Sequence, residues 1–103
     1  MGHFRDCRAE VRFDDGSPVL EDDDALVRIE GGWILVCYWD EHGAVVFEGA
    51  ESDPGRFQLK ARSRSRTAEL AYSPERRVLE GTWSEGDASG AFRIELGKED
   101  ESA

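Results

Sequence analysis

A histidine and two carboxylates stand together in the segment Asp40-Glu41-His42-Gly43. A carboxylate next to an imidazole orients the ring, as it does in general bases and in metal-ligating histidines. No second metal ligand or nucleophile has a suggestive spacing from His42, and Cys37 does not form a dyad with it by sequence alone. The favoured interpretation is a solvated turn histidine, so no catalytic residue and no cofactor is assigned. A small enzyme that uses His42 with its neighbouring carboxylates is the alternative.

Two acidic groups, Asp14-Asp15 and Asp22-Asp23-Asp24, are the other candidates for binding a hard cation. They lack the alternating oxygen ligands and the central glycine of a calcium-binding loop. We therefore expect a charged loop and no metal site.

The chain has two cysteines, Cys7 and Cys37. They would be candidates for a disulfide in a secreted protein, but the N-terminus shows no export signal. We expect two reduced, buried thiols, because free cysteine behaves as a small core hydrophobe.

Basic residues alternate along the segment Lys60 to Arg66, in which Arg62, Arg64 and Arg66 lie on one side of a predicted hairpin tip. Such a row is able to contact phosphates, but the chain has a net charge of -10, and nucleic acids require a basic surface. We expect these arginines to pair with surface carboxylates such as Glu69 and Glu80. A local patch for an anion or an acidic partner remains a candidate.

The chain of 103 residues predicts a single domain over residues 1–97, followed by a charged tail over 98–103. No run approaches the roughly 20 apolar residues of a membrane span. We therefore expect a cytoplasmic protein that binds neither nucleic acid nor membranes.

Segments with a period of two, separated by turn residues, predict an all-β fold. In the first segment, Cys7, Ala9, Val11 and Phe13 alternate with charged residues. The stretch that follows predicts a loop and allows one helical turn near residues 18–22. The whole pattern indicates an antiparallel meander of about eight strands, either a barrel or a flattened sandwich.

Turn chemistry predicts how these strands pair. Gly31-Gly32 suits a two-residue turn with positive φ, and it sets up three pairs across the hairpin: Ile29 with Ile34, Val27 with Val36, and Ala25 with Tyr38. For the later hairpins we predict the inward pairs Leu59 with Leu70, Leu70 with Leu79, Gly81 with Ile94 and Trp83 with Phe92. On the outward face we predict a cross-strand charge pair, Lys60 with Glu69.

The opposite face of the Gly31-Gly32 hairpin and of the strand after it is unusually apolar; it carries Leu26, Trp33, Leu35, Cys37, Trp39 and Val46. Three interpretations account for it. The first strand or the acidic loop covers it as further core, a second copy of the chain covers it in a dimer, or it binds a small apolar or sugar-like ligand on Trp33 and Trp39.

The segment Gly81-Thr82-Trp83, together with Arg93 on the next predicted strand, resembles the glycine, tryptophan and arginine signature of lipocalin-like barrels. The resemblance covers only these residues, and here the motif lies on the penultimate predicted strand. It implies a barrel whose interior carries a small apolar ligand. Aromatic residues predicted for that interior leave room for only a small cavity.

The function expected from the sequence is therefore a non-enzymatic interaction domain, or a domain that binds a small ligand. We expect it to self-associate, with a dimer favoured, through the apolar face that contains tryptophan. A lipocalin-like carrier of a small apolar ligand is a further alternative.

Overall fold

The computed structural model describes residues 2–41, 43–62 and 65–99, and in this part of the chain it contains strands and no helix. The strands are β1 (Gly2–Val11), β2 (Leu20–Glu30), β3 (Trp33–Asp40), β4 (Gly43–Asp53), β5 (Arg56–Ala61), β6 (Arg66–Ser73), β7 (Val78–Glu85), β8 (Ala88–Glu95) and β9 (Lys98–Glu99). Each strand from β1 to β8 pairs antiparallel with the next, and β8 returns to pair with β1. The predicted all-β meander is confirmed, and its form is a closed eight-stranded barrel with one extra strand.

β1 closes the barrel because it pairs along both of its edges. Ala9 lies opposite Ile94 of β8 on one side and Asp22 of β2 on the other. The side chains of Cys7, Ala9 and Val11 point inward and are buried, as their alternation predicted. The helical turn allowed near residues 18–22 is absent, because from Leu20 onwards the chain is extended and paired with the end of β1.

The first predicted hairpin forms at Gly31 and Gly32, whose φ angles are 53° and 78°. Ile29 pairs with Ile34 and Val27 with Val36, as predicted. The ladder ends at Leu26 and Cys37, so it does not reach the third predicted pair, although the side chains of Ala25 and Tyr38 are both buried. The turn therefore sets the inward and outward faces of β2 and β3 as expected.

The later hairpins have the predicted faces but a register shifted by two residues. Leu59 pairs with Ala68, Leu70 with Gly81, and Trp83 with Gly90. Gly81 likewise pairs with Phe92 instead of Ile94. A shift of two leaves every side chain on its own side of the sheet, so Leu59, Leu70 and Trp83 are still buried.

The predicted charge pair between Lys60 and Glu69 is wrong for the same reason. Lys60 lies opposite Thr67, and Glu69 lies opposite Gln58. The outward face at this hairpin is therefore polar without a direct cross-strand ion pair between those two residues.

Side chains fill the barrel interior. Its largest fully buried members include Tyr38, Phe47, Phe92, Ile34, Leu70 and Leu79. The ring of Phe92 lies 5.6 Å from the rings of both Tyr38 and Phe47, measured between centroids. The interior is thus a packed core, as in other small barrels.

The C-terminal end of the described chain is short and paired. Lys98 and Glu99, which we expected in a solvated tail, form β9 opposite Arg5 and Phe4, and both of their side chains are exposed. In the part of the chain that the structure covers, no helix is long and apolar enough to cross a bilayer.

Candidate interaction surface

The six apolar residues singled out from the sequence lie together on the outside of the barrel. Leu26, Cys37 and Val46 form one row across β2, β3 and β4, because Cys37 pairs with both of the others. Trp33 and Trp39 stand at the two ends of β3, with Leu35 between Trp33 and Cys37. We call this surface, made of Leu26, Trp33, Leu35, Cys37, Trp39 and Val46, the β2–β4 face.

Local sequence explains why this surface points outward. The Gly31-Gly32 turn determines which side chains of β3 point inward, and these are Ile34, Val36 and Tyr38. The residues between them therefore face away from the core. Leu26 is 42% exposed and Trp39 is 44% exposed, and the other four residues are half-buried. Apolar residues therefore occupy positions where a barrel in water usually carries polar side chains.

Charged residues border the face on its β2 side. Arg28 lies one row from Leu26, and its Nε is 3.1 Å from Nε2 of His3. The same His3 atom lies 2.7 Å from Oε1 of Glu30, and this hydrogen bond lowers the pKa of the Glu30 carboxyl below its usual value.

A second charged border lies on the β4 side. Arg62 donates a hydrogen bond of 2.8 Å from Nε to Oε2 of Glu48, and its Nη2 lies 2.7 Å from the same oxygen. Glu48 pairs in register with Leu35, and Leu35 pairs with Arg28. A cation and an anion thus flank Leu35 in one row across the sheet.

The two cysteines lie on opposite sides of the barrel wall. Cys7 has no exposed surface, and its Sγ accepts a hydrogen bond of 3.3 Å from the backbone N–H of Gly97. Cys37 is half-buried on the β2–β4 face, and both cysteines are free thiols. Burial raises the pKa of each thiol above its usual value. The expectation of two reduced thiols agrees with this placement, although only Cys7 is fully buried.

The predicted arginine patch is not one surface. Arg62 is outside and bound to Glu48, whereas the side chain of Arg66 points into the end of the barrel and is only 12% exposed. Arg64 lies outside the described residues.

Arg66 is the interior cation that the sequence analysis missed. Its Nε and Nη2 donate to Oε1 of Glu85 at 3.2 and 3.0 Å, and its Nη1 donates to the hydroxyl of Tyr38 at 3.0 Å. The guanidinium lies 4.9 Å from the ring centroid of Trp83. Strand alternation could have indicated this position. Arg66 is two residues from the inward-pointing Ala68, so both side chains lie on the same side of β6.

Arg93, the arginine of the lipocalin-like signature, points outward, as the predicted register of β8 places it. Arg93 is on the outside of β8, within 4 Å of carboxylate oxygens of Glu80 and Glu95. The indole N–H of Trp83 donates to the backbone carbonyl of Arg12 at 3.0 Å. A depression of about 780 Å³ lies over β5 to β8, and polar and charged residues such as Gln58, Lys60 and Glu69 line it together with apolar ones. It is not an apolar interior pocket.

The structure gives no site geometry for the residues considered for catalysis and metal binding. His42 lies outside the described residues. Over residues 2–41, 43–62 and 65–99, no group of three or more histidine, cysteine, aspartate or glutamate side chains is placed to hold a metal ion.

Comparisons with protein-family models, with curated proteins and with solved structures find no match to this chain.

Proposed function

We propose that this chain is a non-enzymatic interaction domain that self-associates through the β2–β4 face. The observation that carries the proposal is the exposure of Leu26 and Trp39, at 42% and 44%, beside four half-buried apolar neighbours. Contiguous apolar patches on a monomer usually mark an interaction site. Tryptophan is also enriched in the cores of protein interfaces.

The free energy of water exclusion favours covering this face. Fully burying one apolar side chain contributes roughly 1.5 to 3 kcal/mol. The sequence offered β1 as an intramolecular cover, but β1 is part of the barrel wall between β2 and β8. A cover from outside the barrel is therefore favoured over one from the chain's own first strand.

A second copy is the occupant favoured by symmetry, because it is always present and offers the same patch to an isologous two-fold interface. Three strands spaced about 4.8 Å apart and the six steps of about 3.3 Å from Trp33 to Trp39 give a patch of about 14 by 20 Å. Standard interfaces bury about 800 Å² on each partner, and this patch is smaller even with its charged borders. We infer a weak dimer, because the patch is smaller than a standard interface.

Sedimentation velocity over a micromolar concentration series tests the proposal. The wild-type protein should shift from monomer to dimer. Leu35→Glu should remain a folded monomer, because a dimer would remove the new carboxylate from water next to the carboxylate of Glu48. Thr82→Glu is the matched control, since Thr82 is exposed and outward on β7, across the barrel. It should dimerise like the wild type. A wild-type protein that stays monomeric at high micromolar concentration would refute self-association.

A further inference from the structure

We propose that Arg28 and Glu48 determine how two copies recognise each other, with each Arg28 contacting Glu48 of the partner subunit around a two-fold axis parallel to β3. The inference rests on the proposed function and adds to it the residues that set orientation. Both side chains are available at the surface, with exposures of 50% for Arg28 and 37% for Glu48.

The row geometry places these two charges symmetrically. Arg28 pairs with Leu35, and Leu35 pairs with Glu48, so the cation and the anion lie on either side of β3 at about one strand spacing, roughly 4.8 Å. The next row has the same arrangement with apolar residues, Leu26 and Val46 on either side of Cys37.

A two-fold axis along β3 brings β2 of each copy over β4 of the other. Arg28 then meets Glu48 of the partner subunit in two equivalent places, and Leu26 meets the partner's Val46. Leu35 and Cys37 lie close to their own symmetry mates. The two charges nearest the axis, Arg28 and Glu48, each gain an opposite charge, and the apolar residues of the neighbouring row gain apolar neighbours.

Two positions of an axis across the strands give poorer contacts. If it runs along the row of Leu35, it places Arg28 against Arg28 and Glu48 against Glu48, which costs free energy through like-charge repulsion. If it is moved towards the turn, Arg28 faces Glu30 of the partner subunit. That position leaves Leu26 and Trp39, the two most exposed residues of the face, uncovered.

The charged borders extend the match. In one copy Arg28 lies within 4.0 Å of Glu30, and Glu48 lies 2.7 Å from Arg62. Contact between copies therefore produces an alternating sequence of Glu30, Arg28, Glu48 of the partner subunit and Arg62 of the partner subunit. Such alternation offsets the desolvation of the central pair, because each ion keeps its first partner.

Two charge reversals and their mixture test this orientation. Arg28→Glu places two acids opposite each other at both contacts, and Glu48→Arg places two bases there, so each variant alone should self-associate at least about tenfold more weakly than the wild type. A mixture of the two variants restores both opposite-charge contacts. Native mass spectrometry, which separates the species by mass, should then show the heterodimer as the main dimer. The double variant Arg28→Glu/Glu48→Arg should also recover self-association.

Arg62→Gln is the control for the intramolecular ion pair that Glu48→Arg breaks. It leaves Glu48 negative but removes one end of the alternating charges, so it should weaken self-association less than either reversal does. Circular dichroism checks that each variant is folded. If a reversal does not fold, Arg28→Gln and Glu48→Gln replace the pair, and they should weaken the dimer and flatten its dependence on salt.

The outcomes separate the two proposals. If the wild type dimerises and Leu35→Glu does not, but both reversals dimerise as homodimers, the face is correct and the orientation is wrong. Weakening by Arg28→Glu alone, with Glu48→Arg unaffected, overturns the orientation in favour of the axis that pairs Arg28 with Glu30. A monomeric wild type removes both.

Discussion

The guanidinium of Arg66 lies over the indole ring of Trp83 at one end of the barrel, 4.9 Å from the ring centroid. A cation in this position is attracted to the negative face of the ring, and the attraction is stronger where water is excluded. The hydrogen bonds to Glu85 and Tyr38 hold the guanidinium in place. This contact joins β6, β7 and β3, so it ties together strands from different parts of the barrel wall.

Arg66→Gln should lower the free energy of unfolding by about 2 kcal/mol, because it removes the cation and leaves the hydroxyl of Tyr38 without this donor. Arg62→Gln removes the exposed ion pair with Glu48, just after the end of β5. It should lower the free energy of unfolding by less than about 1 kcal/mol. Urea denaturation followed by circular dichroism measures both values. Equal values for the two variants would show that the interior position of Arg66 has no energetic role.

Sequence patterns could have identified Arg66 as an inward residue, because Arg66, Ala68 and Leu70 share one parity. Residue type pointed the other way, since arginine is rarely buried unless it is paired. Its partners Glu85 and Tyr38 are distant in sequence, and only the closed barrel brings them together. Alternation predicts the direction of a side chain, but it does not identify the neighbours from other strands that make such a direction favourable.

The turn at Gly31-Gly32 offers a test of the predicted hairpin. Gly31→Val should destabilise the domain by about 1 kcal/mol or more, because a β-branched residue is strained at a φ of 53°. No atom lies within 4 Å of the position that a Cβ would take, so backbone strain is the cause. Gly31→Asn is the matched control and should cost less, since asparagine tolerates this conformation. Thermal melts of the three proteins should follow that order, and an unchanged melting temperature for Gly31→Val would contradict the turn assignment.

The same turn explains why one hairpin register was predictable and three were not. Two glycines with positive φ define a two-residue turn, which leaves a single register for β2 and β3. The later turns carry weaker markers: between β7 and β8 only one glycine, Gly86, has a positive φ, at 59°. The segment after Ser73 spans four residues before Val78, and the segment after Glu85 only two before Ala88. Alternation is insensitive to a shift of two, so it gave the correct faces for Leu59, Leu70 and Trp83 with the wrong partners.

Nucleic-acid affinity should be weak despite the arginines of the hairpin between β5 and β6. Arg62 is already paired with Glu48, Arg66 is held inside the barrel, and the chain carries a net charge of -10. A filter-binding titration with single-stranded and duplex DNA at low and moderate salt should show no saturation. Tight binding with a steep dependence on salt would contradict this expectation.

The two cysteines should differ in reactivity. With an aromatic disulfide reagent at neutral pH and low protein concentration, Cys37 should react in the native state, and Cys7 only after unfolding, because Cys7 has no exposed surface. Cys37→Ser should abolish the native-state reaction. If that variant reacts as fast as the wild type, the placement of Cys7 inside the barrel is wrong.

The same burial predicts how pH affects stability. The pKa of the Cys7 thiol is raised above 9.0, so the unfolded chain loses its proton first as pH rises. The protonated Cys7 thiol therefore makes its full contribution to the free energy of unfolding below pH 9.0, and this contribution is lost as the pH rises through the folded-state pKa. The free energy of unfolding of the wild type should fall relative to that of Cys7→Ser over this range, and urea denaturation at a series of pH values measures the difference.

Adjacent substitutions on β3 test whether the β2–β4 face is surface or core. Val36 has no exposed surface, and Leu35 beside it points out of the barrel. Val36→Glu should unfold the domain, because it buries a carboxylate with no partner, a cost of several kcal/mol in a fold whose total stability is only about 5 to 15 kcal/mol. Leu35→Glu should remain folded at low protein concentration, with a loss below about 1 kcal/mol, since its carboxylate faces water in the monomer. Circular dichroism melts of both variants, at concentrations where the wild type is monomeric, decide between the two assignments. An unfolded Leu35→Glu protein would mean that the domain covers this face by itself and that no second copy is needed.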